Sequence, residues 1–346
     1  MGLHFEITSF GNRPHNFVAE YIDVNTFKRY QTVREFYMIS GLQHVAIGVS
    51  DIDRSLLFYR EILGFKNVLL DVTYRDLTMG QVIGRSVGVR IIMLENDLGG
   101  GAIKLVKLLP HHEDHMGHKS RPIPSGRRWG DAGHLEVAVE VSDVERTYAD
   151  FKQKRLEFAL SPQHWHIPDK LGATYFYLRD PDGVLVEVID GPRKKEFADF
   201  SGVFALNHTA IGVTNMKRSL AFYSGILGFE VLIDVEGTWP GEEVIVGESI
   251  EQRIVMLGSP NGGARIELIE ILFPNQSKPI PPEKRWGDIG VMEAALEVKD
   301  IDKVYKKLSD QGVQFLCPIS NIPETPIRYV FIRDPDDSEI GLYEIP

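Results

Sequence analysis

HVAIGVSDIDRSLLFYREILGF at residues 44–65 returns as HTAIGVTNMKRSLAFYSGILGF at residues 208–229, with 14 of 22 positions identical. A repeat of this length and fidelity marks the chain as copies of one structural unit. A weaker pair is interleaved with it: GHLEVAVEVSDVERTYADF at 133–151 and GVMEAALEVKDIDKVYKKL at 290–308. Each of these runs on to a late strand after Arg-Asp-Pro-Asp, at 179–182 and 333–336. The chain is therefore four related modules in the order 1-2-3-4, with 1 resembling 3 and 2 resembling 4.

Each module reads the same way. In the first, His44 to Val49 alternates small and β-branched residues as a half-buried strand does. Asp51 supplies an N-cap, apolar residues from Leu56 to Leu63 recur at helical spacing, and Gly64 ends the helix. Three more strands follow, the last from Ile103 to Leu109, which makes a β-α-β-β-β unit and an α+β fold. In modules 2 and 4 the last strand is introduced by Asp180-Pro181-Asp182-Gly183 or Asp334-Pro335-Asp336-Asp337, tight turns by their chemistry. Between modules lie Arg128-Trp129-Gly130-Asp131 and its echo Arg285-Trp286-Gly287-Asp288, in which Trp covers the core edge while Arg and Asp pair; an anion contact by Arg128 or Arg285 is the alternative.

Composition sets the limits. A chain of 346 residues is too long for one core and suggests two domains of about 150 residues plus an extension. The 43% hydrophobic and 25% charged content is ordinary for a soluble globular protein. A net charge of −11 argues against a nucleic-acid or anionic-membrane surface, since both require clustered basic residues. No apolar run has the length of a membrane span, and the start MGLHFEITSFGNRPHNF lacks the pattern of a signal peptide. The single Cys317 excludes an internal disulfide, which fits a cytoplasmic protein.

The opening His44 and His208, the FY…ILGF helices and the DPDG strand ending in Glu187 together resemble the vicinal oxygen chelate superfamily, the glyoxalase, bleomycin-resistance and extradiol-dioxygenase group. The resemblance covers about residues 41–346. It implies four βαβββ modules forming two domains of paired, curved mixed sheets. Domain 1 would span 41–195, with modules 41–125 and 131–192, and domain 2 would span 203–346, with modules 203–282 and 288–346. Residues 1–40 form an aromatic-rich N-terminal arm with no counterpart in the repeat.

In this family the metal positions lie on the first and last strands of each module. The matching first-strand residues are His44, Glu136, His208 and Glu293; the last-strand residues are Lys104, Glu187, Glu267 and Gly341. Two module pairings are open. Pairing neighbours gives His44, Lys104, Glu136, Glu187 and His208, Glu267, Glu293, Gly341, each one ligand short, with His44, Glu136 and Glu187 left as a facial triad. Pairing 2 with 3 and 1 with 4, as in fused glyoxalases, gives one complete set of Glu136, Glu187, His208 and Glu267 and one degraded set. One intact and one decayed site is the simpler product of duplication.

A histidine opening an apolar strand is ordinarily a hydrogen-bonded core residue, and a glutamate in a strand ordinarily faces water. Three glutamates inside the apolar runs LEVAV, LVEV and IELI either lie on a solvent face or are compensated by a cation, because an unpaired buried carboxylate costs several kcal/mol, and their joint occupancy of the family's metal positions with His208 favours the cation. One imidazole and three carboxylates suit a divalent ion such as Mn, Co, Ni, Zn or Mg. The run His111-His112-Glu113-Asp114-His115-Met116-Gly117-His118 has no match in the duplicate and reads as a surface loop, and His164-Trp165-His166 as a loop packed on the sheet with substrate contact as its alternative.

The ligand set and the resemblance imply a divalent-metal-dependent isomerase or epimerase acting on a small-molecule carbonyl substrate through an enediolate, with Glu187 and Glu267 as the catalytic bases. The two-domain length is similar to that of epimerases acting on polyhydroxy cyclic ketones such as 2-epi-5-epi-valiolone. Three alternatives remain: a glyoxalase I-type lyase, whose thiol carboxylates call for basic residues; an extradiol dioxygenase, which needs a second histidine; and a metal-free resistance protein, which needs no carboxylates. The expected protein is a monomer or homodimer with no nucleic-acid or membrane partner.

Overall fold

The computed structural model describes residues 38–76, 82, 87–109, 120–124, 126–167, 171–191, 197–282 and 284–346. The N-terminal arm up to residue 37 and the His-rich run 111–118 lie outside these residues. All four modules keep the βαβββ order, with one extra short helix inserted in module 3. Module 1 contains β1 (Ile39–Gly48), α1 (Ile52–Leu56, continued as a π turn over Leu57–Ile62), β2 (Asn67–Asp76), β3 (Val87–Glu95) and β4 (Ala102–Leu109). Module 2 contains β5 (Gly133–Val141), α2 (Val144–Gln153), β6 (Glu157–Ile167), β7 (Leu171–Arg179) and β8 (Leu185–Asp190). Module 3 contains β9 (Val203–Gly212), α3 (Met216–Tyr223), β10 (Glu230–Gly237), the short α4 (Glu242–Val246), β11 (Glu251–Gly258) and β12 (Arg265–Phe273). Module 4 contains β13 (Gly290–Val298), α5 (Ile301–Asp310), β14 (Ser320–Asn321), β15 (Arg328–Arg333) and β16 (Glu339–Glu344).

The local signals act as their chemistry requires. Asp51 accepts hydrogen bonds from the N–H groups of Asp53 and Arg54, and Asn215 caps the repeated helix through Arg218 N–H. Gly64 takes the left-handed φ of +82° that ends the first helix.

The strands assemble into two eight-stranded sheets, ordered β14-β15-β16-β13-β1-β4-β3-β2 and β10-β11-β12-β9-β5-β8-β7-β6. The first sheet joins modules 1 and 4, and the second joins modules 2 and 3. Each sheet thus takes one module from each half of the sequence, so 41–195 and 203–346 are not the two sheets. Within every module the first and last strands run parallel, and the two modules meet through antiparallel first strands, β1 with β13 and β5 with β9. One apolar core takes side chains from both sheets and from the helices. The two sheets are stitched through the same core: Tyr59 of module 1 donates to Asp180 in the module 2 turn at 3.0 Å, and Tyr223 of module 3 donates to Asp334 in the module 4 turn at 3.0 Å.

The Arg-Trp-Gly-Asp loops cross the ends of the first strands closely. A Cβ at Gly48 would run into the carbonyl of Asp288, and one at Gly212 into that of Asp131. Those glycines, part of the repeated AIGV, let each loop lie against the strand and carry its tryptophan over the sheet.

Candidate metal centre

On the module 2/3 sheet, strand register brings the sequence-selected side chains onto two rungs of one face, separated by the Val137–Thr209 pair. Along one rung Glu187 pairs with Ala138, which pairs with His208; along the other Glu136 pairs with Ala210, which pairs with Glu267. Successive residues of a strand alternate faces, so all four ligand candidates project from one face while Val137, Val139 and Val186 enter the core on the other. Alanine at 138 and 210, both buried, keeps the floor between the ligands low.

The four side chains converge. One ligand atom each from Glu136, His208 and Glu267 lies within 4.8 Å of the others, and His208 Nε2 lies 3.3 Å from Glu187 Oε2 and 3.5 Å from Glu267 Oε2. His208 Nε2 and Glu187 Oε2 are buried without a hydrogen-bond partner. The far side of the imidazole is held by Asn207, whose Oδ1 lies 2.8 Å from Nδ1. Glu136 receives two hydrogen bonds, from Trp129 Nε1 at 2.6 Å and from the Tyr177 hydroxyl at 2.9 Å. Among the described residues no Lys or Arg forms an ion pair with Glu136, Glu187 or Glu267.

Two of these carboxylates, Glu136 and Glu187, are buried too deeply to ionise in the ordinary range. Burial, then the charge of Glu267, pushes Glu136 up to about 7. Burial likewise holds Glu187 well above the usual carboxylate range, against the pull of His208. Burial disfavours a charged His208, but Glu267, Glu187 and Glu136 outweigh it and raise the imidazole to about 9. Glu136 and Glu267 offer two carboxylate oxygens and His208 an orphaned imidazole nitrogen close enough together to hold a divalent ion, with Glu187 beside that nitrogen and the indole of Trp129 and phenol of Tyr177 behind Glu136. The donor set could hold a metal ion without selecting one.

The four equivalent residues of the module 1/4 sheet sit on the same two rungs: Gly341 pairs with Ala295 and Ala295 with His44, while Glu293 pairs with Ala46 and Ala46 with Lys104. Here the cation is built in. Lys104, 1% exposed, places its ammonium 2.9 Å and 2.8 Å from the two oxygens of Glu293 and 2.7 Å from the Tyr343 hydroxyl. Trp286 donates to Glu293 at 3.0 Å, repeating the bond of Trp129 to Glu136. A Cβ at Gly341 would collide with Glu293 Oε1, so this rung has no room for a counterpart of Glu187. His44 faces Glu293 at 3.6 Å and is not brought near Glu136, Glu187, His208 or Glu267. Burial, then the charge of Lys104, lowers His44 to about 4, which keeps it neutral.

Around the intact cluster the sheet face is aromatic and apolar. Trp165 of β6 stacks on Trp239 at 5.8 Å between ring centroids, and Tyr175, Tyr177, Leu160, Leu185 and Ile245 line the same face. The segment read as a loop around His164-Trp165-His166 is the edge strand β6, with Trp165 packed inward and both histidines exposed. Arg128 is taken up by Glu248 at 2.9 Å and by the carbonyls of Asn275 and Gln276. Sequence reasoning had not marked Tyr177 at all and had read Trp129 only as cover. A spacing contained the missed signal, since Trp129 precedes Glu136 by the same seven residues that separate Trp286 from Glu293.

The sequence profile of the Glyoxalase/Bleomycin resistance protein/Dioxygenase superfamily matches residues 41–188 and 205–342. The chain belongs to that superfamily. Over 153 residues it is 27% identical to a 2-epi-5-epi-valiolone epimerase of Actinomyces sp., covering 42% of this chain and 81% of the relative. Over 197 residues it is 24% identical to a lactoylglutathione lyase of Schizosaccharomyces pombe, covering 55% of this chain and 60% of that one. The crystal structure of glyoxalase I from Zea mays superposes with a TM-score of 0.54 at 19% identity, over 88% of this chain and 92% of the maize chain, which shows a shared fold. No helix among the described residues is long and apolar enough to cross a membrane.

Proposed function

We propose that this chain is a divalent-metal-dependent isomerase of the epimerase type, which removes a proton from the carbon beside a carbonyl in a small polyhydroxylated cyclic ketone and returns it. The observation that carries this reading is that Glu187 and Glu267 both reach His208 Nε2, at 3.3 Å and 3.5 Å, from the last strands of two different modules. When bound, a divalent ion supplies Lewis acidity that makes the carbon beside the carbonyl more acidic. Proton transfer is left to the side chains. A carboxylate on each side of a bound ring allows one to take the proton from one face and the other to deliver a proton to the opposite face.

The surroundings support the same division of labour. Glu136, fixed by Trp129 and Tyr177, is anchored as a ligand, whereas Glu187 Oε2 has no hydrogen-bond partner and is free to hold a proton. Trp165, Trp239 and Tyr175 exclude water and present ring faces to the C–H groups of a cyclic substrate. The epimerase relative supports the substrate class.

The test is incubation of the metal-loaded chain with 2-epi-5-epi-valiolone in D₂O, followed by NMR. Deuterium entering one carbon beside the carbonyl, together with epimer formation, is expected. S-lactoylglutathione made from methylglyoxal and glutathione would assign the lyase reaction instead, and oxygen uptake on a catechol the dioxygenase reaction.

A further inference from the structure

Trp129 and Leu185 line the cup of the metal centre and also a cavity of about 270 Å³ whose lining includes none of Glu136, Glu187, His208 or Glu267. The cavity lies between the loop containing Arg127 and its repeat containing Lys284, which occupy equivalent positions two residues before Trp129 and Trp286. Among the described residues its lining has five basic side chains, Arg121, Arg127, Arg128, Arg179 and Lys284, against one carboxylate, Asp288. Asp288 is already engaged by Arg121 at 2.6 Å, Arg128 by Glu248, and Arg179 by Glu157 at 3.8 Å.

Arg127 and Lys284 are different. Arg127 donates to the carbonyls of Ala132 at 3.2 Å and His134 at 2.8 Å, and Lys284 to that of Val291 at 3.2 Å. Among the described residues neither has a carboxylate in ion-pair contact. Arg127 Nε is buried with no partner, and so is Nδ1 of His134, a residue 1% exposed that lines the same cavity. Buried polar groups in folded proteins are overwhelmingly partnered, and two cations sharing a small cavity repel one another. Burial, then the neighbouring Arg127 charge, pulls Lys284 down to about 7, with Glu339 and Asp288 acting the other way. The cavity is thus shaped and charged for a guest that is negative, accepts several hydrogen bonds and is small.

We propose that this cavity is an oxyanion site, in which Arg127 and Lys284 clamp a phosphate or carboxylate group with His134 as a further polar contact. The anion is either a free small ion or the charged arm of a molecule whose remainder reaches the cup past Trp129 and Leu185. The site stands independently of the reaction assigned to the metal centre.

Calorimetric titration of the full metal-loaded chain with inorganic phosphate, at constant ionic strength set by chloride, tests it. Saturable binding is expected, weakened by about tenfold or more in Lys284→Gln and in Arg127→Gln, the usual loss when a charged hydrogen-bond donor is removed, and largely kept in Lys284→Arg. Arg127 also holds its own loop, so if Arg127→Gln does not fold, the contrast of Lys284→Gln with Lys284→Arg decides. No saturable phosphate binding, or equal binding in wild type and Lys284→Gln, overturns the proposal. Competition between inorganic phosphate and a phosphorylated cyclic ketone identifies the charged arm of a larger ligand as the guest, whereas phosphate binding that such a ketone does not displace identifies a separate ion.

Discussion

Lys104 Nζ lies 2.8 Å from Oε2 of Glu293, at the position where the other sheet has Glu267. One duplicated site therefore supplies its own cation and the other gathers three carboxylates around a histidine. The difference makes the first site a structural ion pair, buried at both ends. Removing one partner of such a pair leaves an uncompensated charge in the interior. Lys104→Met should lower stability by about 3–5 kcal/mol in chemical denaturation. Lys104→Met combined with Glu293→Gln should recover much of that loss, and a double variant no better than the single one would contradict the pairing.

Much of this arrangement was legible in the sequence because the repeat fixes equivalence residue by residue. Aligning the VAIGV, VAVEV, TAIGV and AALEV runs is enough to set His44, Glu136, His208 and Glu293 on equal positions, since a strand with one buried face tolerates no slip in register. The pairing of modules was legible only indirectly, through the ligand inventory that makes pairing 2 with 3 and 1 with 4 leave one complete and one degraded set. It depends on which first strands meet, a contact between residues far apart in the chain such as Ala138 with His208. Nor could the sequence show that Trp129 and Tyr177 turn toward the same carboxylate, because those bonds depend on how a loop crosses a sheet and how two strands align.

The intact cluster should bind one strong divalent ion per chain. Metal content measured by atomic emission should fall sharply in His208→Ala, which deletes the nitrogen that Glu187 and Glu267 both reach. It should hardly change in His44→Ala, because His44 stands on the other sheet opposite Glu293. The reverse pattern, metal lost with His44 and kept without His208, would move the site to the lysine-bearing sheet.

Acid should destabilise the lysine-bearing sheet through His44. Its imidazole is lowered to about 4 by burial and then by Lys104, while in the unfolded chain it titrates near 6.5. Between those values the unfolded chain takes up a proton that the folded chain refuses. Stability therefore falls as pH drops from about 6.5 to 4, by about 3 kcal/mol in total, and above pH 6.5 this group has no further effect. Burial alone would push Glu293 up, but Lys104 and His44 outweigh it and hold the carboxyl well below its usual range, so its contribution is also lost on acidification, below about pH 4.5. Urea unfolding of His44→Leu across pH 4 to 7 should lack the upper part of this slope. An unchanged slope would place the titrating group elsewhere.

Glu187 and Glu267 should behave alike in the reaction and differently from Glu136. Glu267→Gln retains an oxygen ligand of nearly the same size and removes the basic carboxylate, so metal should bind more weakly yet saturate when supplied in excess. Turnover at saturating metal should still drop by about 100-fold or more, the usual contribution of a positioned general base. Glu187→Gln should do the same, since the Oε2 of Glu187 lies 3.3 Å from His208 Nε2. In a two-base epimerisation each variant can continue to exchange the proton of one substrate epimer with D₂O while failing to complete inversion, and the two variants should favour opposite epimers. Glu136, tied to Trp129 and Tyr177, should instead affect metal affinity ahead of the proton-transfer step. If metal-saturated Glu187→Gln and Glu267→Gln both epimerise at the wild-type rate, the two glutamates are ligands only and the base must be sought among other groups of the cup.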